Sequence, residues 1–194
     1  MMKYIIILII LFGNFIFVSG QNKSDIEKVP KLKGDLSCTY ISKYSSTKRL
    51  HFYPFNVSDS IKLVSFRHHK HDYPIKGDSL VLDSIVEIVT LSSKDIDKLT
   101  DILYNNFYKS KPDYGVFNQC FYPRNAIIFY NKAGRIKENI LICFHCYRLE
   151  KGSDKINTGD DCSEKIEKLR LFFISKGMNF GTNLKIGLYP GEQD

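Results

Sequence analysis

The sequence predicts an α+β fold: an antiparallel sheet of about four to six strands with two helices packed on one face. Three observations lead there. Two segments carry apolar residues at helical spacing. Several others alternate or run apolar, rich in β-branched and aromatic residues, with turn formers between them. The 194 residues, 43% hydrophobic and 25% charged, describe one ordinary globular domain. A chain of this size buries enough surface to fold without a metal or a disulfide.

Residues 1–20 read as a secretory signal peptide. Lys3 is the basic start, an uncharged Ile/Leu/Phe/Val run follows, and Val18-Ser19-Gly20 offers the compact residues that a signal peptidase requires. The apolar run sits at the short limit of the roughly 17–25 residues of a spanning helix, and Asn14 interrupts it. The expectation is therefore cleavage before Gln21 and a periplasmic or secreted protein. The membrane is involved only if the leader stays attached. Residues 21–35 are polar, with Pro30 and Gly34 as breakers, and read as a flexible lead-in. Residues 36–194 then form a single α+β domain.

Within it, residues 47–55 and 61–67 read as a hairpin around the loop 56–60. Residues 68–79 form a polar loop with Pro74 and Gly77, and 80–91 is a strand candidate. Ser92 or Ser93 can cap a helix reaching about Phe107, with Ile96, Leu99, Ile102, Leu103 and Phe107 on one face. Residues 125–131 and 135–144 form a second hairpin, with Gly134 at the left-handed position of a three-residue loop. If Asn131 pairs with Arg135, that register sets Cys120 opposite Cys146 and Cys143 opposite Pro123. The closing helix starts at Ser163 as its cap. Glu164 and Glu167 suit its positive end, Ile166, Leu169, Phe172 and Phe173 form its apolar stripe, and Gly177 stops it.

Five cysteines are present, Cys38, Cys120, Cys143, Cys146 and Cys162. Export favours disulfides, and an odd count leaves one sulfur over. Cys120–Cys146 is the first disulfide candidate, and Cys120–Cys143 the near competitor. Cys143-Phe-His-Cys146 also admits two chemical readings. A redox site of the thioredoxin kind wants its first cysteine at a helix N-terminus, and here the motif closes a strand. A zinc site would draw on Cys120, Cys143, Cys146 and His145, but His145 adjoins Cys146 and no second C-x-x-C follows. The structural reading is preferred: a disulfide bracing the hairpin, one buried thiol left over, and neither cofactor nor metal.

His68, His69, His71 and Asp72 crowd one polar loop. Consecutive loop residues do not converge on one ion without a defined turn, so a solvated loop is preferred. His51 is read as packed in a strand. Tyr122-Pro123-Arg124-Asn125 is the one polar group set against an apolar strand. Arg124 is a candidate anion or partner contact, with a structural ion pair as the simpler account. The formal net charge is +7, but lysine is scattered and the arginines are few (Arg49, Arg67, Arg124, Arg135, Arg148, Arg170), so no nucleic-acid partner is expected. No G-x-S-x-G, H-E-x-x-H, Walker loop or dinucleotide-binding glycine motif occurs.

The string Cys120-Phe-Tyr-Pro-Arg-Asn-Ala-Ile-Ile-Phe129, then Gly134, then Ile142-Cys-Phe-His-Cys146, resembles a family of uncharacterised small exported bacterial proteins. Their pattern is C-Y-x-P-R-N-x-I-x-F, a glycine turn and I-C-F-x-C. The resemblance runs over about residues 60–181, with Phe121 where the pattern has Tyr. It implies export and an α+β fold, and it supplies no catalytic residue. The sequence thus points to an exported cell-envelope protein, a non-enzymatic domain that binds a protein or envelope ligand. The alternative is a zinc-binding or thiol-redox protein centred on Cys120, Cys143 and Cys146.

Overall fold

The computed structural model describes residues 34–67, 73–113 and 120–183. Twelve regular elements follow in chain order among these residues: β1 (Asp35–Tyr40), α1 (Ser46–Leu50), β2 (Ser60–Phe66), β3 (Ile75–Lys76), β4 (Ser79–Leu80), β5 (Ile85–Thr90), α2 (Ser93–Tyr104), β6 (Asn106–Ser110), β7 (Asn125–Tyr130), β8 (Ile136–Cys143), β9 (Arg148–Lys151) and α3 (Ser163–Ser175). The fold is α+β. Its main sheet has five antiparallel strands in the order β5-β2-β7-β8-β9. β1 pairs with β6 and β3 with β4 in two smaller antiparallel ribbons.

The two sheet faces have different covers. Leu63, Ile127, Phe129, Ile140 and Ile142 point into one buried cluster with Leu99, Ile102 and Leu103 of α2 and Ile166, Leu169, Phe172 and Phe173 of α3. Val64, Phe66, Ala126, Ile128 and Leu141 point to the other face, where Ile75, Leu80 and Phe121 pack on them. The period-2 alternation of β2 and β7 feeds both clusters. β7, central in the sheet, is buried at every position. Each such Leu, Ile or Phe contributes roughly 1.5–3 kcal/mol by leaving water.

Both long helices form where their apolar stripes predict, but their ends differ from expectation. Ser92 and Asp95 make a reciprocal capping box at the start of α2. The helix stops at Tyr104, three residues short of Phe107, because the next residues leave it for a sheet. Asn105 turns its amide to Tyr44 at 2.9 and 3.1 Å, and Phe107 lies in β6 opposite Thr39 of β1. At the start of α3 the cap position is Cys162, with no side-chain cap. Ser163 is the first helical residue, and its hydroxyl donates to the Leu36 carbonyl at 3.2 Å. Gly177 (φ 78°) ends α3. Its N–H bonds to Ile174 and that of Met178 to Phe173, the paired closure that a left-handed glycine permits.

Residues 47–55 are not a strand, and 56–60 is not a hairpin loop. Ser45 caps the short α1 by accepting from Lys48 N, and Phe55–Val57 is a 3-10 turn. The apparent alternation misled because Arg49 turns inward. It is 6% exposed, and its guanidinium reaches Asp97, Asp101, Thr100 and the Tyr44 carbonyl, tying α1 to α2. Leu50 faces solvent instead. His51 therefore caps a helix and is exposed, with its Nδ1 2.7 Å from Thr47 O. The run 80–91 is likewise broken by a 3-10 turn at Leu82–Ser84, where Ser84 Oγ donates to Val81 O at 2.7 Å.

Candidate functional site: three converging cysteines

The hairpin β7–β8 begins in the expected register, with Asn131 N bonded to Arg135 O and Tyr130 opposite Ile136. A bulge then shifts the pairing by one residue, so Phe129 faces Glu138 and the ladder ends at Asn125–Ile142. Two consequences correct the sequence reading. Cys120 lies outside the ladder and reaches Cys146 by the path of its loop, not as an opposed strand residue. Cys143, one step past the last pair, has no residue of β7 paired with it, so Pro123 does not face it. The Arg124 carbonyl still accepts from Phe66 N at 2.9 Å.

Cys143 closes β8 and pairs with Arg148, the first residue of β9. The four residues between them form the turn that carries Cys146. Phe144 anchors the turn in the core, edge-on to Phe173 with ring centroids 5.3 Å apart. Tyr147 completes it at φ 51°, a left-handed conformation that a residue with a Cβ keeps only where its neighbours hold it. Within the turn, Cys146 N–H donates to Cys143 Sγ at 3.2 Å.

The sulfurs of Cys120, Cys143 and Cys146 all lie within 4.8 Å of one another. Cys143 and Cys146 are buried and Cys120 is half-buried. Cys146 stands at disulfide separation from both others, with Cα–Cα distances of 5.6 Å to Cys120 and 5.1 Å to Cys143. One sulfur makes one disulfide, so the three share a single bond. The donor set suits a soft metal as well. Zinc–sulfur bonds of about 2.3 Å set tetrahedral sulfurs roughly 3.8 Å apart. Among the described residues no His, Asp or Glu joins the group. His145 is exposed on the turn and does not complete the set that the zinc reading required.

The remaining two cysteines form a bridge that the sequence reading did not pair. Cys38 of β1 and Cys162 at the head of α3 are linked with Cα atoms 5.1 Å apart, across 124 residues. No local pattern signals a contact at that separation. Around it, Cys38 N–H donates to Glu164 at 2.6 Å, and that bond is the main reason the Glu164 carboxyl sits below its ordinary range. Lys165, one residue on, is fully buried and donates to the carbonyls of Leu103 and Thr158 at 2.9 and 2.8 Å. Burial holds its pKa down to about 8.

Arg124 is half-buried. Its guanidinium lies 5.5 Å from the Tyr122 ring and 5.8 Å from the Phe180 ring. Among the described residues it has no carboxylate within ion-pair distance. His68, His69, His71 and Asp72 lie outside the described residues, as do residues 1–33, which hold the expected leader and nearly all of the expected lead-in. No helix among the described residues is long and apolar enough to cross a membrane. No protein-family model, curated protein or solved structure matches the chain.

Proposed function

We propose that the protein is an exported domain of the cell envelope that binds a partner through thiol–disulfide chemistry at Cys120, Cys143 and Cys146. The observation that carries this reading is three sulfurs confined within 4.8 Å. Whichever two are bonded, the third stands beside their bond. Its thiolate can attack one sulfur of the disulfide. A new S–S bond forms, the other sulfur leaves as a thiolate, and no outside oxidant is needed. A thiolate from a partner attacking the half-buried Cys120 of a Cys120–Cys146 bond gives a mixed disulfide by the same steps, with Cys146 as the leaving thiolate. The protein is on this reading a binder rather than an enzyme with turnover.

The spacing of the sulfurs also favours a second reading, a zinc site with three thiolates and an open fourth position. It requires all three cysteines reduced. The Cys38–Cys162 bridge argues for an oxidising compartment, in which thiols of this proximity pair, and so supports the disulfide reading over the metal.

Native intact mass spectrometry of the protein exported from cells, without reductant and with alkylation of open thiols, tests both. The expected species starts at Gln21 and holds two disulfides, one of them Cys38–Cys162. It carries one alkylated or thiol-capped cysteine and no metal. Zinc that disappears in Cys→Ser variants of the cluster, or three alkylated cysteines among Cys120, Cys143 and Cys146, overturns the proposal.

A further inference from the structure

We infer that Arg124 selects the partner of the cysteine cluster, admitting thiols and disulfides that carry negative charge beside their sulfur. The inference rests on the thiol–disulfide reading of the cluster. Its own evidence is the setting of the guanidinium. Arg124 follows Cys120 by four residues and directly precedes β7, whose last ladder pair, Asn125–Ile142, is one residue short of Cys143. On the other side of β8, Arg148 of β9 pairs with Cys143.

The Arg124 group is built to stay in place. Tyr122 and Phe180 hold it between rings, in the geometry that steadies a cation over aromatic faces. Phe180 is itself fixed. Its N–H donates to Glu87 at 3.1 Å and its carbonyl accepts from Asn125 at 3.0 Å. Gly181 allows the close approach: at φ 73°, a Cβ there would stand 2.6 Å from Arg124 Cβ and 2.5 Å from Asn125 Oδ1. The Asn125 Oδ1 is buried and has no hydrogen-bond partner.

A half-buried guanidinium held by rings and lacking a carboxylate partner among the described residues has N–H groups left for an outside anion. A carboxylate or phosphate fits a guanidinium in bidentate fashion. The same charge steers anions toward the cysteines and repels cations. The partner is thus a thiol or disulfide with a carboxylate or phosphate close to its sulfur.

The test measures adduct formation on the oxidised, full-length exported protein with three disulfide probes: dianionic dithiobis(nitrobenzoate), neutral dithiodipyridine and dicationic cystamine. Rates are divided by those of an unstructured neutral cysteine peptide. A unit charge about 7 Å from the guanidinium changes the rate about 3-fold in water. The anionic probe is therefore expected to gain by 3-fold or more and cystamine to lose by a similar factor. Arg124→Gln should bring the anion-to-neutral and cation-to-neutral rate ratios to those of the peptide. Arg124→Lys should keep the preference, and about 1 M salt should erase it.

An anion-to-neutral ratio that is the same in wild type and Arg124→Gln overturns the inference while leaving the exchange reading intact. If Arg124→Gln unfolds, the wild-type ratio decides, and no preference at low salt overturns the inference. Failure of every probe to react sinks the exchange reading itself, a distinct outcome. Acidic and basic peptides joined by a disulfide extend the comparison. A preference seen with small probes but absent with peptides limits the partner to a small anionic thiol and overturns an acidic protein partner.

Discussion

Replacing Cys38 and Cys162 together by alanine should cost about 3–5 kcal/mol without changing the fold. The bridge closes a loop of 124 residues. Loop-closure entropy at that length stabilises the folded state by about 5 kcal/mol at 25 °C. A second bond between Cys120 and Cys146, 26 residues apart and nested inside the loop, shortens the effective loop and lowers the figure by only about 0.2 kcal/mol. β1 should stay docked in the variant. It remains paired with β6, Cys38 N–H bonds to Glu164 through the backbone, and Ser163 bonds to the Leu36 carbonyl. Urea unfolding with unchanged far-UV and near-UV circular dichroism is the assay. The midpoint should fall, m should rise because the unlinked denatured chain exposes more surface, and Tm should drop by about 10 °C. A loss below about 1 kcal/mol with unchanged m would refute the cross-link argument. The double substitution also avoids placing a new thiol in a protein that already holds three converging cysteines.

Two further predictions concern charge. Asp95 is held down at about 2, first by its hydrogen bond from Lys176 and then by Ser92. Its folded-state pKa lies below the ordinary 3.8, so its contribution is full above about pH 4 and is lost as pH falls toward 2. Asp95→Asn should cost about 1–2 kcal/mol at pH 7 and flatten the acid limb of the stability profile in that window; an unaltered acid limb would contradict this. Lys165 presents the opposite sign. Burial lowers it from 10.5 to about 8, so the unfolded chain binds more protons between those values and stability rises with pH across them. The rise attributable to Lys165 is roughly 2–3 kcal/mol. It is read as the difference between wild type and Lys165→Met measured at pH 7.5 and 10, and identical slopes in the two proteins would dismiss it.

The legible parts of the fold are those in which one local rule acts alone. The stripes of α2 and α3 are read correctly because three- and four-residue spacing survives whatever the helix packs against. The turn at Gly134 is also read correctly, since a left-handed residue is needed there. Errors arise where a tertiary contact overrides the local pattern. Residues 47–55 alternate like a strand, yet Arg49 is drawn inward by Asp97 and Asp101 of α2, which no local rule anticipates. Phe107 continues the helical stripe, yet β1 recruits it into a ribbon. At the site, the meeting of Cys120 with Cys146 is anticipated for an incomplete reason, because the bulge at Phe129/Tyr130 moves the register away from them. The Cys38–Cys162 bridge depends on the docking of α3 against β1, and 124 residues of intervening chain hide it from any spacing rule.

That three cysteines meet, and not two, bears on what the cluster is for. A bond between Cys120 and Cys146 closes 26 residues and stabilises by about 3.5 kcal/mol on loop entropy, whereas one between Cys143 and Cys146 closes 3 and contributes under half of that. A hairpin brace needs only the first pair, and the third sulfur adds little to stability. Each of the three is positioned by a different part of the chain: Cys143 by the ladder to β9, Cys146 by a turn anchored through Phe144, and Cys120 by the segment that enters β7. Moving the bond therefore changes which parts are tied together. Cys120–Cys146 fastens the entering segment, which carries Arg124, to the turn. Cys143–Cys146 ties the turn to its own strand instead. On the thiol–disulfide reading proposed above, exchange at the sulfurs and the placement of Arg124 are linked through the four residues of chain that separate Cys120 from Arg124.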